Sequence, residues 1–73
     1  MEFEYDPAKS TTNLLKHGID FEEAQSLWED QNLVRFPIDY GGEKRWGVIS
    51  HYSGSRWVVV CTTRGNNTRI ISV

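Results

Sequence analysis

RWVVVCTTRGNNTRIISV, residues 56–73, carries the decision about the fold. Five consecutive apolar residues, Trp57 to Cys61, read as a strand. A continuous run of this kind suits a central strand covered on both faces. A turn at RGNN leads into TRIISV, a final strand. The register of that hairpin has two readings. If Asn66 and Asn67 form a two-residue loop, Arg64 stands opposite Arg69 and both emerge on one face. Like charges so placed repel, and an anion such as phosphate between them would relieve it. If Gly65, Asn66 and Asn67 form a three-residue loop, Arg64 faces Thr68 and Arg69 points to the other side. Exposed strand-end arginines can also simply keep a sheet edge soluble. A short last strand can pair with another copy of the chain or with a partner's strand.

Upstream, KRWGVISHY (44–52) is a strand with Trp46 and Val48 on one side, and SGS (53–55) turns it into the next. LVRF (33–36) is a short strand ended by Pro37, and DYGG (39–42) is a turn. The second half is thus an antiparallel meander of about four strands. The first half differs. EFEY (2–5) alternates, with Phe3 and Tyr5 on one face. Asp6 and Pro7 open a helix, PAKSTTNLLKH, that stops at Gly18. Ser10-Thr11-Thr12 weakens it on propensity. IDFEEAQSLW (19–28) is a second helix with a capping box, Asp20 and Glu23, and a core face of Phe21, Ala24 and Trp28. Strand, two helices and a meander make an α+β domain spanning residues 1–73.

A chain of 73 residues buries only about 60% of the surface its unfolded form exposes. No apolar run approaches the ~20 residues of a membrane span, and the acidic N-terminus is no secretory signal. The single cysteine, Cys61, reads as a buried thiol, and a cytoplasmic location follows. The net charge of −2 hides a division. Residues 1–40 hold nine acids and three bases, a sum of −6, whereas residues 41–73 hold five bases and one acid, a sum of +4. That asymmetry hints at an anionic partner.

His17 and His51 can each titrate near neutrality and serve as acid or base, although a histidine in a helix's last turn often only caps it. No spacing of His, Cys or Asp resembles a metal site, and no glycine run resembles a phosphate loop, so no metal or cofactor is expected. Trp28 reads as core. Trp46 and Trp57 could stack on unpaired bases if one sheet face is open.

FEYDPAKSTTNLLKHGIDFEEA (3–24) resembles the opening signature of the BrnT toxin family. The likeness is carried by Phe3, Glu4, Tyr5, Asp6, Pro7 and Lys9, then Asn13, then Lys16-His17-Gly18, then Phe21, Glu22, Glu23 and Ala24. Asp30, Arg45 and TTRGNNTRIIS (62–72) are similar to later family positions, so the likeness spans the chain. Ser50 stands where the family has a glycine. Relatives usually continue with Ala-Arg and a C-terminal helix, whereas Val73 is the last residue here, so an absent element and weakened catalysis are expected.

The resemblance implies a fold similar to RelE-type toxins and a ribonuclease that inhibits translation. It implies a BrnA-type ribbon-helix-helix antitoxin, with operator DNA bound only through that antitoxin and a toxin dimer possible within the complex. Cleavage without a metal requires a base, an acid and positive groups around the attacked phosphate. Arg64 and Arg69 are the expected clamp with Arg45 beside them, and His17, His51 or Lys16 is the expected base. Two other readings stand beside this one. The chain could be an inactive module that binds antitoxin and tunes its operon. It could also be a general nucleic-acid binder, against which the acidic first half and a pI near 5.5 argue.

Overall fold

Asp6 and Gly18 set the ends of the first helix. In the computed structural model, which describes residues 2–73, that helix is α1 (Pro7–His17). The Ala8 N–H donates to Asp6 Oδ1 at 2.9 Å, and the Gly18 N–H donates to the Leu14 carbonyl at 2.9 Å. Gly18 takes φ 81°, a left-handed conformation that glycine reaches without strain. Within the weak Ser-Thr-Thr run, the Thr11 and Thr12 hydroxyls donate back to the Pro7 and Ala8 carbonyls, and Ser10 is buried.

The second helix is a 3₁₀ helix (Glu23–Glu29), tighter than the α-helix the sequence suggests. Asp20 Oδ1 accepts from the Glu23 N–H at 2.7 Å, one half of the expected capping box, while the Glu23 carboxylate bonds the Tyr52 hydroxyl instead of returning to Asp20. The tighter winding follows from side-chain spacing. Phe21, Ala24 and Leu27, all buried, recur every three residues. A helix with three residues per turn stacks the helical pair Ala24 and Leu27 in one row. Leu27 further gives its carbonyl to the Ser50 hydroxyl at 2.6 Å, which ties the helix to the sheet.

Five strands form one mixed sheet in the order β1-β5-β4-β3-β2. They are β1 (Glu2–Glu4), β2 (Val34–Tyr40), β3 (Glu43–Tyr52), β4 (Ser55–Arg64) and β5 (Asn67–Ser72). The expected meander of four is present. The fifth member is β1, which lies parallel to β5 with Glu2, Phe3 and Glu4 opposite Asn67, Thr68 and Arg69. β5 is therefore an inner strand, and its expected pairing with another copy is blocked over that stretch. β2 runs on past Pro37 instead of ending there. It is an edge strand, so the missing proline N–H breaks no ladder bond on its outer side.

The core lies on one face only. Val48, Val59, Cys61 and Ile70 pack under Ile19, Phe21, Ala24 and Leu27. Phe3 meets Trp28 edge-on at 4.8 Å, and Tyr5 meets Phe21 at 5.7 Å. β4 is central, but it is not covered on both faces: Val59 is sealed and its neighbour Val58 is 47% exposed. The helical half supplies apolar surface to one side, and among the described residues no helix packs on the other, where the Phe36 ring lies over Gly47.

One-sided burial makes opposite predictions for adjacent layers. Leu27→Ala should lower unfolding free energy by about 2–5 kcal/mol in urea titrations. Val58→Thr, on the uncovered face, should change it by no more than about 0.5 kcal/mol. Equal losses at the two positions would contradict the one-sided core.

Candidate active site

The β4–β5 turn decides where the arginines go. Its loop is Gly65-Asn66, with Gly65 at φ 58°. A two-residue turn of this type needs a positive φ at its first central position, and Gly65 is the glycine of RGNN. Arg64 therefore faces Asn67, Thr63 faces Thr68 and Thr62 faces Arg69. Both expected registers are overturned, because each placed the loop around Asn67. The shared face survives nonetheless. Arg64 lies two residues from Thr62, so it emerges on the side where Thr62 and Arg69 stand. Arg64 and Arg69 are diagonal neighbours, with side chains about 7–8 Å apart at their bases. Arg45 joins them, since it precedes Trp46, which pairs with Cys61 on the helical face.

Each of two arginines has a carboxylate beside it. Arg69 Nη1 is 3.5 Å from Glu4 Oε1, and Asn67 Nδ2 donates to Glu4 Oε2 at 3.3 Å. Arg45 Nη2 is 3.0 Å from Glu43 Oε2, and its Nε donates to the same oxygen at 3.3 Å. Arg64 is exposed and makes no ion pair among the described residues. The glutamates relieve the repulsion without a bound anion. Thr62 lies buried among these side chains and donates to the Lys44 carbonyl at 2.8 Å. Three guanidiniums and two carboxylates thus occupy one end of the uncovered face.

The expected bases do not join them. Lys16 and His17 are exposed in the last turn of α1, on the helical side. They border a hollow shared with Ile71, Ser72 and Val73, at the end of β5 beyond Arg69. His51 lies on the uncovered face but six residues, about 20 Å, along β3 from Arg45. Its partner is Asp30, whose Oδ2 is 3.8 Å from His51 Nδ1.

Asp30 is a junction that residue patterns did not reveal. Its Oδ2 accepts from the His51 N–H at 2.8 Å and its Oδ1 from the Asn32 N–H at 2.8 Å. These two backbone donors hold its carboxyl below the usual range, with smaller help from the Ser50 hydroxyl and the His51 charge; burial opposes them. The turn to Asn32 was legible as an Asp two residues before its donor. The contact to β3 joins residues 21 apart and left no local trace. Glu43 could have been found, because alternation puts it on the face of Arg45. Glu4 could not, because its pairing with Arg69 spans 65 residues. Elsewhere, Glu23 accepts from the Tyr52 hydroxyl at 2.9 Å and raises its pKa, and burial raises that of the Cys61 thiol. Among the described residues no three His, Cys, Asp or Glu are grouped to hold a metal.

A family model described as "Ribonuclease toxin, BrnT, of type II toxin-antitoxin system" matches residues 5–73, nearly the whole chain. The chain belongs to the BrnT family. No curated protein matches it. Membership makes this a ribonuclease-toxin fold of a type II toxin–antitoxin system and implies an antitoxin partner. The BrnT match begins at Tyr5, so Glu4 lies just outside it and the three arginines lie within. Among the described residues no helix is long and apolar enough to cross a membrane.

The Asp30 junction has a pH signature. A carboxyl with a lowered folded pKa stabilises above its unfolded pKa, and that stability is lost as pH falls through the folded value. Asp30→Ala should therefore melt below the wild type at pH 7. The gap should narrow as the pH is taken from 5 to 2. A gap that stays constant over that range would sink the assignment.

Proposed function

We propose that the chain is a metal-free endoribonuclease of its toxin–antitoxin pair. The substrate 2′-hydroxyl loses its proton to a base and attacks the adjacent phosphate, the bond from phosphorus to the 5′-oxygen breaks, and that oxygen leaves with a proton from solvent, giving a 2′,3′-cyclic phosphate and a free 5′-hydroxyl. Arg45, Arg64 and Arg69 hold the phosphate as charge develops on its oxygens. The observation that carries this reading is the gathering of three arginines, one without an ion pair, on a sheet face that no helix covers among the described residues. Guanidinium groups on a rigid sheet are preorganised for such charge, and their planar fork matches phosphate. Glu4 and Glu43 are the carboxylates beside the arginines and are the groups placed to take the hydroxyl proton. Lys16 and His17 stand on the helical side, and His51 lies about 20 Å along β3 from Arg45, so none of the three shares the arginines' end of that face.

Loss of RNA would inhibit translation in the cytoplasm. The partner in this reading is a BrnA-like ribbon-helix-helix antitoxin, through which the complex reaches operator DNA, with two toxin copies able to enter one assembly. The architecture of two helices on one face of a sheet fits a RelE-like toxin.

Inducible expression in a bacterial host tests this, with growth and total RNA integrity as readouts. The wild type should arrest growth and degrade RNA. Arg64→Ala and Arg69→Ala should each cut the cleavage rate of purified protein by roughly 10²–10³, and cleavage should persist in EDTA. Intact RNA and normal growth from a folded wild-type protein would refute the proposal. An inactive chain that still captured antitoxin would then be the standing interpretation.

A further inference from the structure

The second feature at this end of the sheet lies on its other face. A cavity of about 150 Å³ opens there between Trp28 and Trp46, bordered by Arg35, Thr63 and Cys61. Its volume suits one planar ring system and falls well below the ~300–1,000 Å³ of ordinary small-molecule sites. One wall is held in place, because Trp28 rests edge-on against Phe3 at 4.8 Å. The other wall, Trp46, is 42% exposed. Arg35 is exposed and makes no ion pair or hydrogen bond among the described residues. Cys61 forms part of the floor, with its Sγ 3.7 Å from the Trp46 carbonyl.

We propose that this cavity takes one unstacked purine base, guanine in preference, from a bound RNA strand. The proposal rests on the ribonuclease reading and adds a specificity site to it. Aromatic walls stack on any base, whereas a guanidinium fork matches the two acceptors, O6 and N7, on one edge of guanine. Placement supports the assignment. Thr63 borders the cavity, and the next residue, Arg64, emerges on the opposite face with Arg69. A single strand rounding the β4–β5 turn can rest a phosphate on the arginines and turn a neighbouring base into the cavity. Base choice and phosphate binding are then separate, one on each face of the same sheet end.

The indole N–H signals of the three tryptophans provide a direct test in ¹H–¹⁵N spectra. Titration with GMP should move the signals of Trp28 and Trp46 and leave Trp57 in place, and CMP and UMP should move them less. Trp46→Ala should weaken GMP binding about tenfold or more. Arg35→Ala should bring GMP down to the level of CMP. Both altered side chains are exposed, and an unmoved Trp57 signal reports that each variant is folded. No movement at Trp28 and Trp46 with any nucleotide, or unchanged GMP binding in Trp46→Ala, overturns the proposal. Cleavage-site mapping separates it from the ribonuclease reading. RNA cut by the wild type with a guanine preference that Trp46→Ala and Arg35→Ala abolish supports both. RNA cut with the same preference by all three proteins overturns the cavity alone. Absent cleavage with the GMP shifts intact overturns the ribonuclease reading alone.

Discussion

Coverage of a single sheet face is the constraint on which this structure depends. The connection after α1 and the 3₁₀ helix bring four sealed apolar residues, Ile19, Phe21, Ala24 and Leu27, against Val48, Val59, Cys61 and Ile70. Among the described residues no helix lies on the opposite side. That side can therefore carry charge without a desolvation penalty. Burying three arginines would cost several kcal/mol for each unpaired ion, whereas at the surface the cost is small. The asymmetry of burial thus produces the asymmetry of chemistry: packing on one face, and Arg45, Arg64 and Arg69 on the other.

With so thin a core, polar side chains fasten the layers together. Ser10 accepts from the Phe21 N–H at 2.9 Å, which fixes the turn between α1 and the 3₁₀ helix. Asn13 donates to the Ile19 carbonyl at 2.8 Å and accepts from the Val73 N–H at 3.3 Å, so one buried amide joins helix, loop and chain end. Ser50 and Asp30 do the same between the 3₁₀ helix and β3. Each bond contributes only about 0.5–1.5 kcal/mol net, but a lost partner strands a buried polar group at a larger cost. In a domain of marginal stability such groups are worth as much as an additional aliphatic side chain.

Local features of the fold were legible, and long-range ones were not. Caps at Asp6 and Gly18, alternation in β1 and the turns after Tyr40 and Tyr52 each depend on neighbours a few residues away, and each appears as residue types imply. The cover over β4 could not be read the same way. A continuous apolar run fits a strand sealed on both faces, and it equally fits one face sealed and one bare, as Val59 and Val58 show. The parallel seat of β1 beside β5 joins the two ends of the chain and leaves no periodic mark. The candidate site divides along the same line. The three arginines were identifiable from charge and turn residues. Their glutamate partners, their common face with its true register, and the separation of Lys16, His17 and His51 all depend on tertiary placement.

Glu4 and Glu43 set the charge balance of the arginine cluster. Like-charged side chains this close across strands repel. The two carboxylates remove that repulsion in the free protein. They do so weakly, because Arg69 and Glu4 remain 30% and 32% exposed, and such pairs contribute about 0–1 kcal/mol. In the proposed reaction a phosphate that presents two oxygens to one guanidinium takes the glutamate's place through a bidentate contact. That exchange would release a carboxylate beside the attacked nucleotide, free to accept a proton. Long-range attraction is not part of this design. The net charge is −2, and at physiological salt fields decay over about 8 Å, so the positive end acts only at short range. In the proposed reading, recognition therefore falls to groups within contact distance of the strand, the arginines on one face and the tryptophan-walled cavity on the other.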